Sequence, residues 1–303
     1  MQDYVRDYFD RNAAAWVESA YAGDSKFPVG PERVRLAIEG VAPAMRDGAA
    51  LVDLGCGGGQ LCIHAARLGW SATGVDVAPG MIEEATRAAG DLPIRFVEAA
   101  YDASGLEGGG FDAVTALGLI EYLPDDDGLF AEAGRLLRPG GTFAVSCRNR
   151  LYNVVSANRY TAREIERGDA GALLSELIEA LSQTDAADVH ALAEELAAAA
   201  PELAEAARRD AAEPPEELLD HERAFGEERR QHTPAELTAS AVRHGFHPAG
   251  VLALHPHPLP ADLEHVSPRF YNRLALAWQR SLERSPLGLA YSSAFVAVFE
   301  RED

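Results

Sequence analysis

Short apolar runs alternate with helix-like segments between residues 49 and 147. Gly, Pro and Asp bound the runs, whereas the segments between them carry apolar residues at helical spacing. This alternation is typical of βαβ units, which build a parallel sheet. The predicted strands cover residues 49–54, 72–77, 94–97, 111–117 and 142–147, and the predicted helices cover residues 61–68, 81–89 and 129–137.

The pattern before and after this core is different. Residues 1–48 carry aromatic side chains at near-helical spacing, and residues 151–230 are rich in Ala, Leu and Glu with apolar stripes of helical period. Both regions are therefore predicted to be helical. In the second region, Pro201 and the pair Pro214-Pro215 are expected to end helices.

The C-terminal part of the chain returns to strands and helices. Thr233, Pro234 and Glu236 predict a capped helix start. Two further strands are predicted at residues 248–255 and 292–300, with a helix at 268–284 between them. The chain thus divides into an N-terminal helical cap (1–48), a core (49–150), a helical insertion that serves as a lid, substrate or dimer element (151–232), and the C-terminal part of the core (233–303).

The chain is strongly acidic, which narrows its partners. Its 303 residues include 27 Lys+Arg and 48 Asp+Glu, a net charge of −21. Nucleic acid and anionic membranes require clustered cations, so we expect neither as a partner. Residues 161–230 alone hold 7 Arg and 19 Asp or Glu. This acidic face is expected to be solvated, and the alternative is a docking surface for a cationic partner.

Several features predict a cytoplasmic protein. No apolar run reaches the roughly 18 residues that a membrane-spanning helix needs. The first four residues lack the basic and apolar regions of a secretory signal. Cys56, Cys62 and Cys147 are too few for a disulfide framework and have no C-x-x-C spacing.

A glycine-rich turn is the most informative feature of the sequence. It follows the first predicted strand and precedes a helix, and it places Gly55, Gly57 and Gly59 in a G-x-G-x-G pattern. Glycines let the backbone turn sharply and let a ligand approach without a Cβ in the way. A dinucleotide fingerprint needs a third glycine where Gln60 stands, and a phosphate-binding Walker loop needs G-K-[ST]. The turn therefore favours neither of those ligands.

An acidic residue ends the next predicted strand. Asp76 lies about 20 residues after the glycines, where a carboxylate can accept hydrogen bonds from both hydroxyls of an adenosine ribose. A helix N-cap is the alternative role.

Four sequence blocks occur in order and together resemble the class I S-adenosylmethionine (SAM)-dependent methyltransferases. They span residues 53–59, 74–81, 111–117 and 136–141. The resemblance implies a Rossmann-like α/β fold, with a seven-stranded sheet whose last strand is antiparallel. It also implies that SAM binds at the carboxyl ends of the first strands, with S-adenosylhomocysteine (SAH) as product.

The resemblance assigns roles around the cofactor. Asp53 and the backbone of the turn, including Cys56, would hold the methionine part of SAM, Asp76 would bind the ribose, and Val77 beside it is a further candidate cofactor contact. Leu117 and Gly118 would line the methionine pocket. Met81 would pack near the adenine, or else only in the core. The usual Gly-Asp pair after the third strand is Ala99-Ala100 here, so Asp102 or the backbone of Tyr101 would replace its adenine contact.

The additions to the core predict the kind of methyl acceptor. The N-terminal helices, the insertion and the 257–290 connection would enclose the methyl group, and this favours a small acceptor over a polymer. The 118–122 segment lacks the [DN]-P-P-[YFW] motif of amide and nucleobase-amine methylation, and no Pro-Cys nucleophile is present. We expect an oxygen acceptor, with a hydroxyl favoured. Nitrogen or carbon methylation of a small metabolite is the alternative, and secondary metabolism is the expected setting.

Several residues are candidates for the acceptor site. His232, His255 or His257 could be the general base, or each could be a packing residue. His255 and His257 with His265 could instead bind a metal, although no metal is expected. Arg148 and Arg150 could bind an anionic group of the acceptor or pair with the insertion. Tyr21, Tyr122 and Tyr152 are candidate pocket walls.

Two other classes of function stay open at this point. The chain could be a SAM-binding scaffold or regulatory protein without turnover, which would act through its acidic helices. It could also be a nucleotide-dependent oxidoreductase, which Gln60 disfavours. A homodimer formed through the insertion is a further possibility.

Overall fold

A single sheet of eight strands lies at the centre of this computed structural model, which describes residues 2–21, 26–212, 229–260 and 262–302. The strands are β1 (Ala50–Leu54), β2 (Ser71–Asp76), β3 (Arg95–Glu98), β4 (Phe111–Leu117), β5 (Leu137–Asn149), β6 (Gln231–His232), β7 (Phe246–Pro256) and β8 (Ser292–Arg301). Their order is β3-β2-β1-β4-β5-β8-β7, and β6 pairs with the end of β5. Strand β8 is antiparallel to both β5 and β7, whereas β1 to β5 pair in parallel.

Helices connect the strands and extend the core. They are α1 (Gln2–Tyr21), α2 (Val29–Val41), α3 (Gln60–Arg67), α4 (Pro79–Ala89), α5 (Asp127–Leu136), α6 (Arg159–Arg167), α7 (Ala170–Leu181), α8 (Ala186–Ala212), α9 (Pro234–Arg243), α10 (Asp262–Val266), α11 (Pro268–Leu282) and α12 (Pro286–Ala290). Short 3₁₀ turns occupy Ala42–Ala44, Ile120–Tyr122 and Arg150–Val154. Within the described ranges, no helix combines the length and apolarity needed to cross a membrane.

The architecture confirms the predicted Rossmann-like α/β fold with an antiparallel last strand. Strand β4 begins and ends where the sequence predicts, and most other strand ends differ by one or two residues. The exception is β5, which begins at Leu137 instead of residue 142. Strand β6 is an addition that was not predicted, because two residues are too few to show a strand period.

Two apolar layers pack on opposite faces of the sheet. In one layer, Phe130 of α5 meets Phe143 of β5 edge to face, with ring centroids 5.5 Å apart. In the other layer, Leu36 of α2 packs with Leu51 of β1 and Leu254 of β7. Because both faces are covered, the central strands are continuous apolar runs without polar alternation.

Helix α1 lies against the glycine-rich turn and the start of α4. A Cβ added at Gly58 would lie 2.7 Å from the Cγ2 atom of Val17. The backbone N–H of Gly80 donates a hydrogen bond to the Asp10 carboxylate at 2.8 Å. The N-terminal helix therefore packs directly on the part of the core that the sequence predicts to hold SAM.

The described residues of the insertion form three helices, α6 to α8, and one prediction about this region is wrong. Pro201 lies inside α8 and does not end it. Proline removes one backbone hydrogen bond, but the surrounding Ala, Leu and Glu residues favour helix, and α8 packs along α11. The pair Pro214-Pro215 lies outside the described residues.

The end of α8 is attached to the core by the side chain of Asp210. This buried carboxylate accepts hydrogen bonds from the Ser267 hydroxyl at 2.7 Å and from the Phe270 backbone N–H at 3.0 Å, and it pairs with Arg269 at 3.3 Å. These contacts cap the N-terminus of α11, where a negative charge is favourable. The N-terminus of α9 has the predicted capping box, in which Thr233 and Glu236 exchange hydrogen bonds.

Candidate active site

The glycine-rich turn joins β1 to α3 in a conformation that requires glycine. Gly55, Gly57 and Gly59 have φ angles of +72°, +50° and +74°, which residues with a Cβ rarely adopt. A Cβ at Gly59 would also lie 2.9 Å from both Ala85 and Phe96. The turn therefore places bare backbone at the carboxyl end of β1, where ligands bind in open α/β sheets.

Asp76 connects this turn to the next helix. Its carboxylate accepts hydrogen bonds from the backbone N–H groups of Gly57 and Ala78, each at 2.9 Å. Burial raises the pKa of Asp76, while the backbone N–H groups oppose that shift. The backbone N–H of Val77 also contributes, and because a carboxylate can accept about four hydrogen bonds, some capacity remains for a ribose. Asp76 thus orders the start of α4, as in the cap alternative, and keeps capacity for a ligand.

Asp53 is buried at the centre of the sheet. Its carboxylate accepts a hydrogen bond from the Thr115 hydroxyl at 2.7 Å. Burial, with a smaller contribution from the nearby Asp76 charge, raises the pKa of Asp53 to about 7. Close by, the Sγ atom of Cys56 would lie 2.8 Å from a Cβ at Gly74, so the small strand residue accommodates the thiol.

The end of β4 lies close to the Arg33 side chain of α2. Gly118 has φ +76°, and a Cβ there would lie 2.8 Å from the Nη1 atom of Arg33 and 3.5 Å from the Oε1 atom of Glu121. The Arg33 Nε atom is buried without a hydrogen-bond partner in the described part of the chain. A guanidinium beside the predicted methionine pocket can bind a carboxylate. The sequence did not single out Arg33, because an arginine on an amphipathic helix has no distinguishing pattern.

The residues that the sequence predicts to contact the adenine do not lie together. Met81 is 1% exposed and packs with Ala13 of α1 and Ala78. The Tyr101 hydroxyl faces α5, whereas Asp102 is exposed in the loop after β3. Of the other predicted cofactor residues, Val77 is 44% exposed and Leu117 is half-buried at the end of β4.

A cavity of about 360 Å³ adjoins the end of β4. Its walls come from α2, the 3₁₀ turns after β4 and β5, the start of the insertion, the end of β7 and the start of β8. The aromatic and imidazole rings in the lining are Tyr152, Tyr160, His255 and His257. The charged side chains in the lining are Arg33, Glu121, Arg148, Arg229 and Glu264. The structure therefore brings four predicted residues, Arg148, Tyr152, His255 and His257, to one cavity.

The ring of His257 is held on several sides. The Tyr271 hydroxyl donates to the Leu259 carbonyl at 3.0 Å, so it accepts from Nδ1 of His257, also at 3.0 Å. Nε2 lies 3.1 Å from the Ser293 hydroxyl, which also donates to the His255 carbonyl oxygen at 3.3 Å. Tyr152 stacks on the ring with centroids 5.0 Å apart. Burial and the charge of Arg148 lower the pKa of His257 to about 4, so the ring is neutral at physiological pH.

His255 is the second imidazole that lines the cavity. Its ring stacks on Phe27, with centroids 4.6 Å apart, and lies 4.3 Å from the His257 ring. Its Nε2 atom is buried and lacks a hydrogen-bond partner among the described residues. Burial, the neighbouring His257 and the charges of Arg33 and Arg148 keep the pKa of His255 well below its usual range. Its φ of +60° is unusual for a residue with a side chain.

Other predicted residues lie apart from this cavity. His232 is buried in β6, where Nε2 lies 3.0 Å from the Asp126 carboxylate. Arg150 pairs with the insertion, contacting Glu164 at 2.7 Å and also Asp169, which was the alternative role given to it.

Tyr122 is a candidate tyrosine that is not among the described lining residues of the cavity. Tyr122 packs edge to face with Phe9, with ring centroids 5.7 Å apart, and burial raises its pKa to about 12. The side chain of Tyr21 lies outside the described part of the molecule. As for the metal alternative, the described side chains contain no group of three or more His, Cys, Asp or Glu positioned to hold a metal ion.

Comparisons with known proteins identify the family of the chain. Residues 52–145 match the methyltransferase domain family. The ubiquinone biosynthesis O-methyltransferase of Xanthomonas oryzae pv. oryzae is 36% identical over 129 residues, which cover 40% of this chain and 54% of that protein. The protein of the same name from Xanthomonas axonopodis pv. citri is 31% identical over 170 residues, which cover 54% of this chain and 70% of that protein.

A solved structure resembles the chain over its full length. The magnesium protoporphyrin IX methyltransferase from Synechocystis PCC 6803, with bound SAH, has a TM-score of 0.56 and 14% sequence identity, and the match covers 99% of each chain. At this identity the likeness concerns the fold. The chain belongs to the class I SAM-dependent methyltransferases. It spans about half the length of the first relative named above.

Proposed function

We propose that the protein transfers the methyl group of SAM to an oxygen atom of a small molecule. The observation that supports this most directly is the contact between two sites. Gly118, at the end of β4, lies beside Arg33 and Glu121, and both of these residues also line the 360 Å³ cavity. A methyl donor bound along β1, β2 and β4 would therefore present its reactive end to the cavity.

The described residues fit the parts of SAM. The left-handed glycines leave room for the methionine backbone, and the remaining acceptor capacity of the Asp76 carboxylate suits the ribose. Asp53 lies below the same turn, and the Arg33 guanidinium is suited to the methionine carboxylate. SAM supplies an electrophilic methyl group. The residues of this chain bind and orient it and keep water away from it.

The cavity fits a small acceptor. A volume of about 360 Å³ is in the lower range of small-molecule sites. Asn158 and Tyr160, at the start of the insertion, and Ser293, at the start of β8, contribute to its walls. We infer that residues 151–232 act as a wall of the acceptor site, as the sequence predicts for a lid. Three buried cysteine thiols suit the expected reducing cytoplasm.

A hydroxyl acceptor, which the sequence favours, would need a base. Of the three histidine candidates, His232 lies with Asp126 outside the cavity lining, and both nitrogens of His257 are engaged. His255 is the remaining candidate, because its Nε2 has no partner among the described residues. In-line methyl transfer relies chiefly on proximity and orientation, which the stacked rings of the wall would provide.

Calorimetric titration with SAM, SAH and NAD tests the proposal. SAM and SAH are expected to bind with micromolar dissociation constants. Asp76→Ala should weaken binding by roughly 100-fold or more, because two hydrogen bonds to a charged group are lost. Asp47→Ala, at an exposed acidic position before β1, is the matched control and should bind normally.

The outcomes separate the three classes of function. Binding of NAD alone would contradict the methyltransferase proposal. Binding of SAH with no methyl transfer to any small molecule would favour the non-catalytic scaffold. Thermal melting of Asp76→Ala is needed beside the titration, since Asp76 also orders Gly57 and Ala78.

A further inference from the structure

The charges of the described residues that line the acceptor cavity do not cancel. Among these residues, three arginines and two glutamates leave one excess positive charge. Bound SAM, with an ammonium, a sulfonium and a carboxylate, would add a second. Charges interact more strongly in a partly buried cavity than in water. An acceptor that carries a negative charge would therefore be favoured over a neutral one.

Arg148 is the arginine best placed to hold that charge. Its backbone at the end of β5 is paired with Gln231 of β6 on one side and with Ala294 of β8 on the other. Its guanidinium lies over the Tyr160 ring, 5.4 Å from the centroid. Strand pairing fixes the backbone at Arg148, the Tyr160 ring orients its guanidinium, and a planar guanidinium suits a carboxylate.

The imidazole rings of His255 and His257 are poorly suited to accept a proton. Both nitrogens of His257 are already engaged with Tyr271 and Ser293. Burial and the nearby arginine charges lower the pKa of His257 to about 4, and that of His255 lies well below its usual range. A general base works best when its pKa is near the working pH. These rings are weak bases for an alcohol, and an acceptor that is already ionised would not need them.

We propose that the acceptor is a small carboxylic acid, bound as its carboxylate against Arg148 and methylated on a carboxylate oxygen to give a methyl ester. The inference rests on the proposed function. One carboxylate oxygen forms a bond to the methyl carbon while the carbon–sulfur bond breaks and its electron pair stays on sulfur. The negative acid becomes a neutral ester, the sulfonium becomes a neutral thioether, and no proton is released.

The first experiment distinguishes an ester from other products. Protein and methyl-labelled SAM are incubated with simple carboxylic acids, their matched alcohols and a small-molecule metabolite extract, and each product is treated with alkali. We expect labelled product from acids or from the extract, with its label released as volatile methanol. Alkali-stable product would overturn the carboxylate inference and leave the proposed function standing. SAH binding without any transfer would also overturn the inference, and no SAH binding would refute the proposed function itself.

The second experiment measures binding without turnover. Benzoate and benzyl alcohol serve as charged and neutral probes of the SAH-loaded protein, and we expect only benzoate to bind. Arg148→Gln should weaken benzoate binding about tenfold or more and leave SAH affinity unchanged, while Arg148→Lys should restore part of the loss. Arg163→Gln is the matched control, since Arg163 stacks on the same Tyr160 ring but lines a neighbouring cavity. Equal binding of both probes, or equal losses in both Gln variants, would contradict the role of Arg148.

Discussion

The buried carboxyl group of Asp53 should make the stability of the protein depend on pH in an unusual direction. Burial raises its folded-state pKa from about 3.8 to about 7. Because the folded pKa is above the unfolded one, the stabilising contribution is fully present below about pH 4. It decreases as the pH rises through 7. Replacing Asp53 with Asn removes the titrating group, keeps the shape and preserves an oxygen that can accept the Thr115 hydrogen bond.

The size of the effect follows from the shift. A shift of about three pKa units lowers the free energy of unfolding by about 4 kcal/mol at a pH where the carboxyl group is ionised in both the folded and the unfolded state. At pH 5 the free energy of unfolding is lowered by only about 2 kcal/mol, because the carboxyl group of the folded protein is still protonated. The free energy of unfolding of Asp53→Asn, relative to the natural protein, should therefore increase by about 2.5 kcal/mol between pH 5 and pH 8. Any constant packing cost of the amide cancels in this difference.

Urea denaturation of both proteins at several pH values measures this difference. Asp47→Asn, at an exposed position, should show a pH-independent change within about 0.5 kcal/mol. A flat difference for Asp53→Asn would mean that the carboxyl group does not resist ionisation, and the reasoning would be wrong. The same variant should bind SAH about tenfold more weakly, since a carboxylate that can pair with the ligand ammonium is lost. The Asp53 carboxylate would then lower the stability of the protein while it strengthens cofactor binding.

Two other substitutions test the assignments around the site. His232→Gln should lower the unfolding free energy by about 1–3 kcal/mol, because it weakens a buried hydrogen bond to Asp126; methyl transfer should change by less than about twofold if this histidine is not a base. Gly58→Ala places a Cβ 2.7 Å from Val17 of α1 and should destabilise the protein by about 1–3 kcal/mol, as measured by thermal melting. Gly110→Ala, where nothing lies within 4 Å of the added Cβ, is the control and should be within about 0.5 kcal/mol of the natural protein.

The parts of the fold that the sequence predicted correctly depend on local patterns. The central strands are buried on both faces, so each is an apolar run with clear ends, and β4 begins and ends as predicted. The capping box at Thr233 and Glu236 was predictable for the same reason, since its two hydrogen bonds join residues three positions apart. Pro201 was misjudged because the packing of α8 on α11 is not visible in the local sequence.

The acceptor cavity could be predicted only in part. Its lining comes from α2, β5, the insertion, β7 and β8, which lie far apart in the chain. The sequence placed Arg148, His255 and His257 near the active edge because each stands at or near a strand end. It could not show that Arg33 reaches Gly118, or that His232 pairs with Asp126, since both contacts depend on how distant elements pack.

The contacts between the insertion and the core bear on the specificity for the methyl acceptor. The acidic residues at its start are engaged with the core: Glu164 and Asp169 pair with Arg150, one residue beyond β5. At its other end, Asp210 caps α11 and pairs with Arg269. Part of the negative charge of this region therefore attaches the insertion to the sheet. Tyr160, which faces Arg148 in the cavity, lies beside the first of these attachments. Loss of that attachment should then alter acceptor binding more than SAM binding, because the glycine turn lies on the other side of β4.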